Sequence, residues 1–106
     1  MMSKEQIESI LDEIGIEYRY HHFEPEEAIA PPFLCWLMPG SNNFAADGKV
    51  YHQSNSLDIE LYTDQKDFDL EKKIETVLDQ YNLYYETSER YIETENMYEV
   101  LYEMEV

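Results

Sequence analysis

Three histidines, one cysteine and twenty-four acidic residues are the groups in this chain best equipped for chemistry. His21 and His22 are adjacent, and on a strand neighbours point to opposite faces, so the pair is expected not to clasp one metal together. His52 could approach either ring, yet no HxH, HExxH or Cys/His spacing accompanies the three. Polar sheet histidines are expected, with no metal and no cofactor. Cys35 lies in the run Phe33-Leu34-Cys35-Trp36-Leu37-Met38. A reactive thiolate needs electropositive, accessible surroundings, which that run does not offer, so a buried core cysteine is expected. Carboxylates are so numerous that some pair will fall at glycosidase-like separation by chance. No catalytic constellation emerges, and a non-enzymatic protein is expected.

Contact residues are a better prospect. Near the C-terminus, Tyr98, Val100, Tyr102, Met104 and Val106 alternate with Glu99, Leu101, Glu103 and Glu105, the pattern of a strand with one apolar face. Glu99, Glu103 and Glu105 then project together with Leu101 among them. That face either meets solvent or, if the strand is an edge or the face is shared, meets a neighbouring copy. The other candidate is 39–47, read as a turn-rich loop. Asn43, Phe44 and Ala45 stand out there, because Phe44 and Ala45-Ala46 are apolar residues in a polar setting, as a docking loop would be.

These residues need a scaffold. Ser3 with Gln6 three residues on makes a capping box, and Ile7, Ile10, Leu11 and Ile14 form one apolar stripe of a helix that Gly15 stops. Residues 16–23 read as a strand with Tyr18, Tyr20 and His22 on one side, broken by Glu24-Pro25-Glu26-Glu27. Residues 33–38 are apolar on both faces, which suits a central strand with Trp36 buried. Pro39-Gly40 and Ser41-Asn42-Asn43 are turn material, and Asp47-Gly48 favours a tight hairpin turn. A short strand is expected at 50–53, followed by a half-buried one at 56–63, where Leu57, Ile59 and Leu61 oppose Asp58, Glu60 and Tyr62. A second helix spans 67–81 on the stripe Leu70, Ile74, Val77, Leu78 and Tyr81, with acids in its first turn. Strands at 84–92 and 97–106 close the chain. The expectation is one α+β domain over 1–106, two helices on a mostly antiparallel sheet in the order α-β-β-β-β-α-β-β.

At 106 residues the chain has room for one two-layer core. Its 43% hydrophobic content argues against disorder despite a mean hydropathy of −0.62. The formal charge of −17 excludes default binding to nucleic acid, which needs a basic surface, and disfavours anionic membrane. One cysteine cannot form an internal disulfide, no signal peptide is read at the start, and the longest apolar run is too short to span a bilayer. A reducing cytoplasm is the expected place of synthesis.

Residues 39–67 also carry a resemblance. Asn43-Phe44-Ala45-Ala46-Asp47 with Lys49-Val50-Tyr51, then Glu60-Leu61-Tyr62-Thr63, then Tyr91-Ile92-Glu93-Thr94-Glu95 through Tyr98, resemble the small tail-completion, or tail terminator, proteins of long-tailed phages and prophages of Gram-positive bacteria. The likeness runs from about residue 31 to the end, with a looser match in the first helix. It implies a structural tail component that forms a homo-oligomeric ring, six subunits by resemblance, at the head-proximal end of the tail tube. Its partners would be the major tail protein and the head connector, in the host cytoplasm during assembly and then in the virion tail. DNA would pass through the ring without being bound, kept off by carboxylates. A neck or head-completion role is the neighbouring reading. The alternative from another class is an acidic DNA mimic that inhibits a nucleic-acid-binding protein.

Overall fold

The structure is a computed structural model describing residues 2–46 and 49–106, with the side chains of all of these except 42–53. Helix α1 (Lys4–Ile14) begins at Ser3, whose hydroxyl accepts from the Gln6 amide while the Gln6 side chain accepts from the Ser3 amide at 2.8 Å. It ends at Gly15, which adopts φ 86°, a left-handed conformation that glycine enters without a Cβ clash. Helix α2 (Phe68–Gln80) is capped by Asp67, whose carboxylate accepts from the Leu70 amide at 3.0 Å. Both helices therefore start and stop where local chemistry satisfies their orphan backbone groups.

Among the described residues there are six strands: β1 (Tyr18–Tyr20), β2 (Phe33–Leu37), β3 (Ser41–Ala46), β4 (Lys49–Thr63), β5 (Tyr85–Ile92) and β6 (Met97–Glu105). A 3-10 turn, Pro25–Glu27, sits between β1 and β2. The sheet runs β1-β2-β4-β6-β5, with β3 paired to the first half of β4. Strands β1 and β2 run parallel, and β2–β4, β3–β4, β4–β6 and β5–β6 pair antiparallel. The α+β class and the order of elements agree with the sequence reading.

Ile7, Ile10, Leu11 and Ile14 of α1 and Ile74, Val77 and Leu78 of α2 close on one face of the sheet. That face offers Leu34 and Trp36 from β2, Leu57, Ile59 and Leu61 from β4, and Val100, Tyr102 and Met104 from β6. Tyr102 is fully buried, and its hydroxyl donates to Glu75 Oε2 at 3.1 Å, so this bulky core side chain keeps its polar atom paired. Trp36 is 3% exposed and meets Tyr20 edge-on at 4.8 Å.

Three local expectations change. The strand expected at 16–23 stops at Tyr20, because His21 turns to φ 69° and leaves the extended region. The strands expected at 50–53 and 56–63 are one continuous β4 of 15 residues. The loop expected across 39–47 is largely strand: Ser41 to Ala46 pair with β4 from Asn55 back to Lys49. Asparagine and serine favour turns locally, but cross-strand pairing outweighs that preference here. The expected Asp47-Gly48 turn lies outside the described residues.

Candidate interaction surfaces

Alternation along the strands sends a second set of side chains to the face away from the helices. Strand register orders them in three rows across the sheet. One row is Arg90–Glu99–Tyr62–Phe33 and the next Ser88–Leu101–Glu60–Cys35. The third is Glu86–Glu103–Asp58–Leu37, three carboxylates directly opposite one another. Like charges in that position destabilise a sheet.

The expectation that Glu99, Leu101 and Glu103 share a face with Glu105 agrees with this register. Two details need correction. Strand β6 is not an edge, since it lies between β4 and β5. Nor is Glu99 solvated: it is 5% exposed, and its Oε2 accepts from Arg90 Nη2 at 2.9 Å and Nε at 3.3 Å. Arginine's fork can hold a carboxylate that water no longer reaches.

Burial and mutual repulsion set the protonation of this face. Glu60 is raised above the ordinary carboxylate range, first by desolvation and then by the charge on Glu99. Asp58 is raised by desolvation and by Glu103. The Tyr62 hydroxyl donates to Glu60 Oε1 at 3.1 Å, and burial plus the two glutamates push its acidity well out of reach. Cys35 is buried as expected, but beside Glu60 rather than in purely apolar surroundings. Burial first, then Glu60 and Glu99, push its thiol up to about 11. Held protonated, it is a poor nucleophile.

At one end of this face the 21–32 connection folds over the sheet. Phe23 packs on Phe33 at 4.9 Å and Phe33 stacks on Tyr62 at 5.1 Å. Beside them lies an open, mainly apolar cleft of about 530 Å³, lined by Phe23, Ala28, Ile29, Pro31, Phe33 and Met97 together with Asn96 and two carboxylates, Asp64 and Glu95. Nothing in the sequence analysis singled out this cleft, because it needs β2, β6 and the 21–32 connection together.

At the other end the β3–β4 hairpin extends past the sheet. Strand β6 pairs with β4 from Ser56 onward, Val106 just beyond it exchanges backbone hydrogen bonds with Asn55, and β2 reaches only to Asp58, so the ladder between 42–46 and 49–54 is a two-stranded ribbon. Its register slips between Phe44 and Ala45, leaving Tyr51 as the extra residue on β4. Asn43, Phe44 and Ala45 have their backbones in this ribbon; their side chains, and that of His52, lie outside the described residues.

The histidine pair also differs from expectation. The left-handed turn at His21 breaks strand alternation and brings the two rings together, Nδ1 to Nδ1 at 3.0 Å, with His22 Nε2 bonded to Glu24 at 3.0 Å. Among the described residues no three histidine, cysteine or carboxylate side chains converge as metal ligands. The carboxylates of a second open cleft, near Trp36, are engaged: Asp12 accepts from Tyr18 at 2.8 Å and Glu8 pairs with Lys4 at 3.1 Å. No helix among the described residues is long and apolar enough to cross a membrane. Compared with the known protein families and with curated proteins, the chain matches none.

Proposed function

We propose that this chain is a structural, non-enzymatic component of a phage or prophage tail. It forms a ring as a tail terminator or head–tail joining protein at the head-proximal end of the tail tube. The observation that carries this reading is the two-stranded ribbon reaching beyond a sheet whose helices cover one face. A subunit of that shape has a projecting element to offer a neighbour and a second sheet face left for contact or a lumen. The resemblance of 39–67 and 91–98 to tail terminators supports the same reading. Carboxylates on the helix-free face suit a passage for DNA, since they offer no counterpart to phosphate. Major tail protein and head connector are the proposed partners.

The test is to add the purified chain to tail tubes that lack a terminator and image them. Capping of one tube end by a ring is expected; tubes that remain bare and continue to lengthen would contradict the proposal. The Glu86–Glu103–Asp58 row favours one second reading, an acidic mimic of DNA that occupies a basic cleft on a nucleic-acid-binding protein. A mimic would bind such a protein as a monomer or dimer and would ignore tail tubes.

A further inference from the structure

The charge of this chain is not spread evenly. Between Glu27 and Asp58 the sequence holds one acid, Asp47, and one base, Lys49, so the net −17 belongs to the remainder. Two copies approaching each other meet like charge over most of their surfaces and are spared it mainly along this stretch. The stretch contains the ribbon, 42–46 with 49–54, and four of the nine residues that line the cleft, Ala28, Ile29, Pro31 and Phe33; the cleft's two carboxylates, Asp64 and Glu95, lie outside it.

These two features sit at opposite ends of one strand. Ribbon pairing begins at Lys49, the first residue of β4, whereas the cleft borders Asp64, just past its last residue, and Phe33, whose partner is Tyr62. The molecule measures 50 × 28 × 24 Å, and the fifteen residues of β4 account for most of the long dimension at ~3.3 Å each. A radius of gyration of 15.1 Å, against ~13 Å for a compact domain of about this length, reflects the same projection. A two-stranded ribbon is marginal by itself in water, so it gains from a surface to lie on. The edges differ too. Strand β5, at one border of the sheet, carries Glu86, Glu89 and Arg90, charges that discourage strand addition, whereas β3 reads Ser-Asn-Asn-Phe-Ala-Ala without a charge.

We infer that the ribbon of one copy docks in the apolar cleft beside Ile29 and Phe33 of the next copy, head to tail. This inference rests on the ring reading above and specifies its contact. A contact between two different patches repeats around a ring if the rotation closes, whereas ribbon against ribbon would stop at a two-fold dimer. By residue type, Phe44, Val50 and Tyr51 are the large apolar residues of the ribbon's sequence.

Two variants test it. Phe44→Asp alters the ribbon, and Ile29→Asp alters the cleft at a residue 40% exposed, where the fold should tolerate the change; Ala45→Asp replaces the first variant if that chain melts early. Native mass spectrometry and sedimentation should show the native chain growing into a larger species as salt and concentration rise. Each variant alone should stay at 12.7 kDa with native melting. Mixed in equal amounts, they should form a dimer and nothing larger, since only one intact ribbon and one intact cleft remain to meet. Assembly of both variants as well as the native chain would overturn the contact and leave the ring reading standing. Assembly of Ile29→Asp alone would replace it with a ribbon-to-ribbon contact. A native chain that stays monomeric at every salt and concentration would overturn the ring reading and this contact with it.

Discussion

Glu60 shows how the helix-free face stores unfavourable charge. Desolvation and Glu99 raise it, and Asp58 is raised by desolvation and Glu103. A carboxyl that holds its proton more tightly when folded weakens the fold once it ionises. The penalty is absent below the ordinary carboxylate range and complete above the raised value. Lowering the pH from 7 to 5 should therefore raise the melting temperature. Glu27 opposes this weakly, because Arg19 lowers it and its contribution fades as pH falls. Glu60→Gln keeps an acceptor for Tyr62 while removing the charge. It should stabilise the protein at pH 7 by about 0.5 kcal/mol, within the range for cross-strand pairs, and flatten the pH slope. Thermal melts of both proteins at the two pH values check this; a native chain that loses stability toward pH 5 would mean the face is not strained. At this scale the sequence was only partly legible. Alternation placed Glu99 on the correct face, but it could not reveal that Arg90 on the next strand and Tyr62 would shield it from water. The pairing of His21 with His22 was hidden for a related reason, since it depends on one positive φ that the residue types do not demand.

Elements with strong local chemistry were legible in their own residues. Both helices carry a cap at the start and an apolar stripe at helical spacing, and burial follows that stripe except at Leu70, which is half-buried, and at Tyr81, which lies past the end of α2 and is exposed. The run at 33–38 was legible because its residues are apolar on both sides, and β2 does lie between two strands with Leu34, Cys35 and Trp36 buried. Trp36→Ala should cost ~3–5 kcal/mol through lost burial and a residual cavity, enough to threaten a domain of this size. Native tryptophan emission should be blue-shifted, and water-like emission from the folded chain would contradict the buried position. Strand β3 was not legible, because its Ser-Asn-Asn opening resembles a turn and its strand state comes from pairing with β4. Ser54-Asn55 likewise read as a break, whereas the chain passes through them in one strand, with Asn55 and Val106 exchanging backbone hydrogen bonds at 2.9 and 3.1 Å.

For the whole molecule, charge and shape act against each other. A net −17 keeps copies apart, while the projecting ribbon and the mainly apolar cleft at the far end are where we infer that they meet. Screening should decide the balance, since the Debye length falls from about 10 Å at 0.1 M salt to ~3 Å at 1 M. The placement of ribbon and cleft at opposite ends was not legible in the sequence, because it depends on β4 being unbroken. The most direct measurement of the proposed ring is the mass of the native chain across a salt series, with electron microscopy of the largest species. A single closed particle of fixed subunit number, favoured by salt and ring-shaped in projection, is the expected result. A monomer at every salt, or an open-ended ladder of sizes without closure, would contradict it.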